Sequence, residues 1–267
     1  MKTMKKMRSA RLGLYLLLIL TAASCGFPRL SDLIDGGGSE DSPDATSVQE
    51  FPSCHQLLAN CGSSGTDDCC SALPVVGGTF YRNHDAVGDS LSSGSKLFPA
   101  RVSSFRLDKY ETTVGRFRAF LNAGMGTQSN PPAAGSGAHA NIPNSGWNEQ
   151  WNAEFTTYQN ALALALKCNQ DYQTWTDMPE TNENRPINCV TWYEAMAFCI
   201  WDGGYLPTDL EWNYTASGGD QQRAYPWSSP AGELMIDSSY ASYSDGTDCV
   251  GDGAAGCALT DLLPVGA

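Results

Sequence analysis

The stretch 206–214 reads Leu206-Pro207-Thr208-Asp209-Leu210-Glu211-Trp212-Asn213-Tyr214 and carries a complete signal for the start of a helix. A threonine at the N-cap accepts a hydrogen bond from the backbone N–H three residues on, and a glutamate at that third position returns a bond to the cap. Thr208 and Glu211 have this spacing, and the proline before them suits the entry to a helix because its φ is fixed. The pattern predicts a helix that runs from Thr208 toward Gly218.

The same capping pair occurs upstream, at Thr191 and Glu194. It predicts a second helix, with one buried stripe, that ends near Gly203. The stripe consists of Trp192, Ala195, Met196 and Cys199.

Two further helices are predicted, over 113–122 from its apolar spacing and over 154–167 from its alanine and leucine content. The stretch 124–145 between them is rich in Gly, Pro, Asn and Ser and has no period. Loops of this length in a compact domain are usually functional or held by a clamp. The sequence therefore predicts a loop-rich domain that disulfides or an ion hold together.

The first 24 residues predict an export signal. Basic residues up to Arg11 precede an apolar run that is too short, at about 1.5 Å per residue, to cross the roughly 30 Å core of a bilayer. Ala22-Ala23-Ser24-Cys25-Gly26 then resembles the bacterial lipobox, in which the cysteine receives a lipid and becomes the new N-terminus. We expect a protein of the bacterial cell envelope, in the periplasm or on the outer-membrane surface, that a lipid on Cys25 attaches to the membrane. The alternative is ordinary cleavage, with Cys25 left as a disulfide thiol.

Composition divides the chain after the signal 1–24 into three parts. Residues 25–50 have little to bury, which predicts a disordered tether. Residues 51–72 form a small cysteine-rich segment, and 73–267 form one domain.

The net charge of −13 excludes one class of partner. Nucleic-acid binding requires a basic stripe that neutralises phosphates, and this chain has 16 basic side chains against 29 acidic ones. We therefore expect no nucleic acid among its partners.

Ten cysteines in an exported chain predict disulfides, because the compartment is oxidising. Four of them lie close enough for two local bridges, in any of three pairings. These four are Cys54, Cys61, Cys69 and Cys70. The further candidate pairs are Cys168 with Cys189 and Cys249 with Cys257. With Cys25 assigned to a lipid, Cys199 is left unpaired, which predicts a partner beyond Ala267. Zinc is disfavoured because paired Cys-x-x-Cys motifs are absent from the sequence.

Four segments carry motifs that are specific when taken in order. They are Pro74-Val75-Val76-Gly77-Gly78-Thr79-Phe80, then 105–117, then 185–195, then 206–214 followed by Tyr225-Pro226-Trp227. Together they resemble the blocks of the formylglycine-generating enzyme (sulfatase-modifying factor) family, and the resemblance covers 73–267. Tyr205 stands where that family usually has an arginine, so an ion pair or a carboxylate clamp is lost there.

The resemblance implies an α+β fold of the irregular C-type-lectin-like kind, poor in secondary structure and stapled by disulfides. It also implies an oxidase in which two cysteines bind copper and use oxygen to convert a sulfatase cysteine to formylglycine. In the family those cysteines follow a Gly-Asn-Val-Trp-Glu-Trp block, which does not occur in this sequence. We therefore expect a domain that is incomplete at its C-terminus and has no catalytic residues, with copper only if a missing C-terminal part carries the active-site cysteines. Cys199 matches a family cysteine that is bridged near the C-terminus.

The resemblance further implies a calcium site, for which Ser242 and Asp252 are the matching residues. Calcium takes oxygen ligands from loops, and Asp245 and Asp248 are near in sequence. The alternative is an acidic surface loop.

Two functions remain open on the sequence. The full-length protein oxidises a cysteine of a sulfatase or another protein, as the family's activity implies. Alternatively, the domain is a non-catalytic, lectin-like surface module that binds a ligand or a partner. Fold alone does not choose between them.

Overall fold

The computed structural model describes residues 24–28, 51–55, 57, 60–82, 84, 86–87, 96–244 and 248–267. The strands in these ranges are β1 (Gly26–Phe27), β2 (Ala72–Val75), β3 (Gly78–Tyr81), β4 (Pro99–Val102) and β5 (Phe105–Asp108). The α-helices are α1 (Val114–Asn122), α2 (Gln159–Ala165), α3 (Trp192–Trp201) and α4 (Asp209–Ala216). Four 3-10 helices accompany them, at Pro52–Cys54, Glu149–Glu154, Gly219–Gln221 and Leu259–Asp261. Among these residues, none of the helices combines the length and hydropathy that a membrane crossing needs.

The strands form two small antiparallel sheets. One has the order β1-β5-β2, with Gly26 and Leu73 on either side of Leu107, and the other pairs β3 with β4. Gly26 and Phe27 are buried, and the Phe27 ring lies 4.7 Å from that of Phe51. The predicted tether 25–50 is therefore wrong at its start, because an apolar dipeptide there completes a sheet. The predicted signal 1–24, apart from its last residue, and the rest of the tether lie outside the described residues.

The helix predictions from capping are confirmed. Thr191 and Glu194 form a reciprocal capping box at α3, and Thr208 and Glu211 form one at α4. The prediction for 113–122 is matched by α1, which Thr113 caps. The prediction for 154–167 is right only in its second half, since the chain forms a 3-10 turn, an extended segment and then α2.

Aromatic side chains of α1 and α3 make the centre of the core. The ring of Phe198 lies 5.7 Å from both Phe117 and Phe120, and all three side chains are at most 1% exposed. Burying one such side chain contributes about 1.5–3 kcal/mol. Trp192, which the sequence placed in the buried stripe of α3, is 51% exposed instead.

The cysteine-rich segment packs into this same core. Cys54 is bonded to Cys70 and Cys61 to Cys69, one of the three pairings that the spacing left open. The backbone N–H and hydroxyl of Ser53 both donate to Asp202, at 2.8 and 2.9 Å. This segment is therefore tied to the C-terminal end of α3.

Two of the remaining disulfides confirm the pairs predicted from spacing, and the third contradicts a prediction. Cys168 is bonded to Cys189, and Cys249 to Cys257, as their spacing predicts. The fifth bond joins Cys25 to Cys199, across 174 residues. The assignment of Cys199 as unpaired is therefore wrong.

The same bond conflicts with the lipid predicted on Cys25. The lipobox lipid is carried on the cysteine sulfur, and a sulfur in a disulfide cannot also form that thioether. Cys25 is 0% exposed, and β1 beside it is paired in the sheet. The structure thus corresponds to the alternative, in which Cys25 is a disulfide thiol.

Candidate functional site

A cavity of about 270 Å³ opens between the start of α3, the start of α4 and the loop that precedes the 3-10 helix 149–154. Its lining combines apolar and polar side chains, and it includes no lysine or arginine. The lining residues are Gly137, His139, Ser145, Trp192, Met196, Tyr205, Leu206, Pro207, Thr208 and Asp209. A small partly apolar cleft with a few convergent polar groups is the usual form of a ligand site.

The loop that brings His139 to the cavity is fixed by Trp147. This indole is 2% exposed and stacks on Phe155 at 5.1 Å, while the Trp147 backbone exchanges hydrogen bonds with Gly135 and Ser136 at 2.8 and 2.9 Å. At Gly137, φ is +65°, and an added Cβ would lie 2.4 Å from Cγ1 of Ile200. The stretch 124–145 is therefore held by an aromatic anchor and close packing.

Glu211 lies behind the polar wall, where it is bonded to three lining residues, and its side chain is only 4% exposed. Its Oε2 accepts hydrogen bonds from the backbone N–H and hydroxyl of Thr208, both at 2.9 Å. Its Oε1 lies 3.1 Å from Nε2 of His139 and accepts a bond from the hydroxyl of Tyr205 at 2.8 Å. The carboxylate is thus fully hydrogen-bonded although it is buried, as a buried charge requires.

The protonation of His139 follows from its second ring nitrogen. Nδ1 accepts a hydrogen bond from the backbone N–H of Asn141 at 3.1 Å. Nδ1 is thus the acceptor in that bond, which leaves Nε2–H as the donor to Glu211. Within the described part of the chain, no lysine or arginine forms an ion pair with Glu211.

Tyr205 replaces the family's arginine with a neutral donor. Burial, and then the neighbouring Glu211 carboxylate, raise the pKa of the Tyr205 hydroxyl, so it stays protonated and donates to that carboxylate. The clamp that the sequence analysis counted as lost is kept as a hydrogen bond, but its positive charge is absent. The negative charge of Glu211 therefore lies behind this wall without a lysine or arginine partner among the described residues, and the exposed Asp209 in the lining adds a second negative charge.

Trp192 forms the apolar side of the opening. Its half-exposed indole packs edge-on against Trp151 at 5.2 Å and Tyr193 at 5.3 Å, which fixes the ring. A fixed aromatic face beside carboxylates can bind a cation.

The two residues predicted for calcium lie elsewhere: Asp252 is in the loop that the Cys249–Cys257 bond closes, and Ser242 is in the segment before it. The Ser242 hydroxyl donates to the backbone oxygen of Asp261, and the Asp252 carboxylate accepts bonds from the hydroxyl of Thr260 and the backbone N–H of Ala254. The Thr260 bond holds the pKa of Asp252 below its ordinary value. The described residues contain no group of three or more His, Cys, Asp or Glu side chains arranged for a metal, and Asp245 is outside them. Calcium here stays a prediction, and we derive no function from it, because both side chains are engaged in the loop's own hydrogen bonds.

None of the site residues that the sequence proposed lines the cavity. Sequence reasoning missed the contact of His139 with Glu211, because the two are 72 residues apart and Glu211 was already explained by its capping role. The one sequence signal that pointed to the cavity was Tyr205, which stands where an arginine was expected from the family resemblance.

Comparison with known proteins identifies the domain. The model of the sulfatase-modifying factor enzyme 1-like domain matches residues 61–253. The chain belongs to this family. The match includes all four helices and every lining residue of the cavity, and it supports a C-type-lectin-like fold with mixed helices and small sheets.

Several relatives in the sulfatase-modifying factor family are similar over parts of the chain. Over 44 residues the chain is 48% identical to the formylglycine-generating enzyme of Mus musculus, covering 16% of this chain and 12% of that protein. Over 168 residues it is 30% identical to the formylglycine-generating enzyme of Thermomonospora curvata, covering 58% and 51%. Over 42 residues it is 45% identical to the inactive C-alpha-formylglycine-generating enzyme 2 of Bos taurus, covering 16% and 14%. These matches span about half or less of the relatives' own lengths. No solved structure matches the chain significantly.

Proposed function

We propose that these 267 residues act as a binding module of the sulfatase-modifying factor family and do not oxidise a substrate. The observation that carries the proposal is that all ten cysteines are in disulfides. Copper in the family's chemistry requires a pair of cysteines, and Cu(I) selects soft thiolate ligands. The cysteines of this chain do not fit copper, so we derive no catalytic step through it.

The cavity beside Trp192 is the binding site in this proposal, and its ligand carries a positive charge. Asp209 in the lining and Glu211 behind it give the cavity negative charge, and no lining side chain is a permanent cation. The Trp192 indole offers a cation–π contact worth about 0.5–1 kcal/mol at an exposed site. A guanidinium or ammonium group on a protein or peptide ligand matches this lining.

Calorimetric titration with N-acetylarginine amide tests the proposal, with N-acetylcitrulline amide as a neutral ligand of nearly the same shape. We expect the arginine compound to bind at least about fivefold more tightly. Trp192→Ala and Asp209→Asn should each weaken it, while Tyr158→Ala, which removes an exposed ring outside the cavity, should not. Equal affinity for the two compounds would contradict the proposal.

The second candidate is oxidation of a protein cysteine, for example in a sulfatase, by a longer protein of which this chain is a part. The 30% identity over 168 residues to a formylglycine-generating enzyme favours it. The test is copper-dependent conversion of the cysteine in a sulfatase-motif peptide to an aldehyde. Conversion by the 267-residue chain itself would overturn the binding proposal.

The proposed location is the bacterial cell envelope. Five disulfides persist in an oxidising compartment and not in the cytosol, which supports export. Attachment to the membrane through Cys25 competes with the Cys25–Cys199 bond. Detergent-phase partition of the exported protein distinguishes the two, because a chain with a lipid on Cys25 enters the detergent phase and a chain with Cys25 in the disulfide has no lipid to carry it there.

A further inference from the structure

A buried charge cluster lies beneath β1, centred on Arg116 of α1. Its guanidinium is paired with Asp108 at 2.9 Å and with Asp202 at 2.6 Å, and it donates to the Ser53 hydroxyl at 2.9 Å. The side chains of Arg116 and both aspartates are 0% exposed. With both carboxylates ionised, the cluster contains two negative charges and one positive charge, which leaves a net negative charge inside the core.

One carboxylate oxygen of the cluster is also incompletely bonded. Oδ1 of Asp108 is buried and accepts no hydrogen bond from the described part of the chain. Burial raises the pKa of Asp108 to about 6, although Arg116 acts in the opposite direction. Buried carboxylates normally have complete sets of partners. Asp108 can therefore accept one more hydrogen bond, and a positively charged donor would also balance the charge of the cluster.

The atom best placed to become that donor is the backbone nitrogen of Cys25. It lies 3.1 Å from Oδ2 of Asp108, in a residue that is 0% exposed. As a peptide nitrogen it is neutral and has one proton to donate. As a chain N-terminus it would be an ammonium group with three protons, and it would bring the charge of the cluster to zero.

The sequence before Cys25 allows a cut at this position. Signal peptidases require small residues at the third and first positions before the bond that they cleave, and Ala22 and Ser24 occupy these positions before the Ser24–Cys25 bond. Hydrolysis of the Ser24–Cys25 peptide bond uses one water, which leaves a carboxylate on Ser24 and an amine on Cys25 that takes up a proton. Since Ser24 and Cys25 are both buried, this cut must come before β1 docks.

We propose that the mature chain begins at Cys25 and that its α-ammonium group binds Asp108 in the core. The new N-terminus is then held by three contacts: the ion pair with Asp108, the disulfide to Cys199 and the pairing of β1 with β5. Lipidation of either the sulfur or the nitrogen of Cys25 is incompatible with this arrangement.

Docking of the N-terminus also bears on the cavity. Gly26 and Tyr205 exchange two backbone hydrogen bonds, each of 2.9 Å. Tyr205 in turn bonds the Glu211 carboxylate at 2.8 Å. Docking of the segment that begins at Cys25 therefore braces one wall of the cavity through Tyr205.

The first test is the N-terminus itself. The full chain is exported from a bacterial host, and the reduced product is analysed by intact mass and N-terminal sequencing. We expect Cys25 as the first residue, with no lipid or acyl mass. A first residue other than Cys25, or an added lipid mass, overturns the proposal.

The second test is the accessibility of the amine. Reductive dimethylation, followed by mass analysis of the N-terminal peptide, should be more than about tenfold slower in the folded than in the unfolded protein, because the amine reacts only when its surroundings open. Asp108→Asn should increase the rate in the folded protein, and the exposed Asp171→Asn should leave it unchanged. Equal rates in folded and unfolded wild-type protein would refute the ion pair, even if Asp108→Asn fails to fold.

Discussion

Replacing Arg116 by methionine should remove a large part of the stability of the domain. The guanidinium forms ion pairs with two carboxylates and bonds Ser53, and its side chain is fully buried. Methionine fills a similar volume but removes the guanidinium from both carboxylates and leaves Asp202 in the core without its counter-charge. Breaking a buried ion pair from one side costs about 3–5 kcal/mol, against a total stability of about 5–15 kcal/mol for a domain.

The stability lost in Arg116→Met should be smaller at low pH than at high pH. Burial raises the pKa of Asp108 to about 6, so the folded state binds a proton more readily than the unfolded state, where a typical aspartate has a pKa of about 3.9. The stability that this proton contributes is present below pH 4 and is lost as the pH rises through 6. Without Arg116 the pKa rises further, and the deficit of the variant should be at least about 1 kcal/mol smaller at pH 4.5 than at pH 7.5.

Urea unfolding followed by tryptophan fluorescence, at both pH values, measures these differences. The control is Lys167→Met, which breaks the partly exposed Lys167–Asp177 pair and should cost no more than about 1 kcal/mol. A free energy of unfolding for Arg116→Met within 1 kcal/mol of wild type would refute the reasoning, as would a deficit that grows toward low pH.

Three further substitutions have expected outcomes in the same unfolding assay. Phe198→Ala should cost about 3–5 kcal/mol, because it opens a cavity between Phe117 and Phe120; a cost below 1 kcal/mol would mean that the core is not packed there. Gly137→Ala should cost about 1–3 kcal/mol and weaken ligand binding, because the added Cβ clashes with Ile200. An unchanged free energy of unfolding would show that the loop can move to accept the Cβ. Tyr205→Phe should cost about 1.5–3 kcal/mol by removing one hydrogen bond to the buried carboxylate of Glu211. An unchanged free energy of unfolding would mean that water replaces this bond.

Local sequence patterns predicted the helices well. A capping box needs only four consecutive residues, so Thr191 with Glu194 and Thr208 with Glu211 gave the starts of α3 and α4. Helical periodicity placed Trp192 in a buried stripe, but the first turn of α3 borders the cavity, where tertiary structure leaves the indole half exposed.

Contacts between distant residues could not be predicted from spacing. Cys168 with Cys189 and Cys249 with Cys257 were paired by proximity, while spacing left the pairing within the cysteine-rich segment open. Cys25 and Cys199 meet only because β1 joins the sheet beside the end of α3. The lipobox pattern, moreover, predicted a lipid on Cys25 and not a disulfide. The contact between His139 and Glu211 likewise depends on how Trp147 anchors a loop that has no periodicity of its own.

The number of free thiols in the folded, exported chain tests the central claim most directly. Alkylation of the unreduced, denatured protein, followed by mass analysis and peptide mapping, counts them and assigns each to a residue. We predict no alkylated cysteine and a peptide that links Cys25 to Cys199. Alkylation of Cys199, with Cys25 either alkylated or carrying a lipid, would contradict this prediction, because it would show that the Cys25–Cys199 bond is absent.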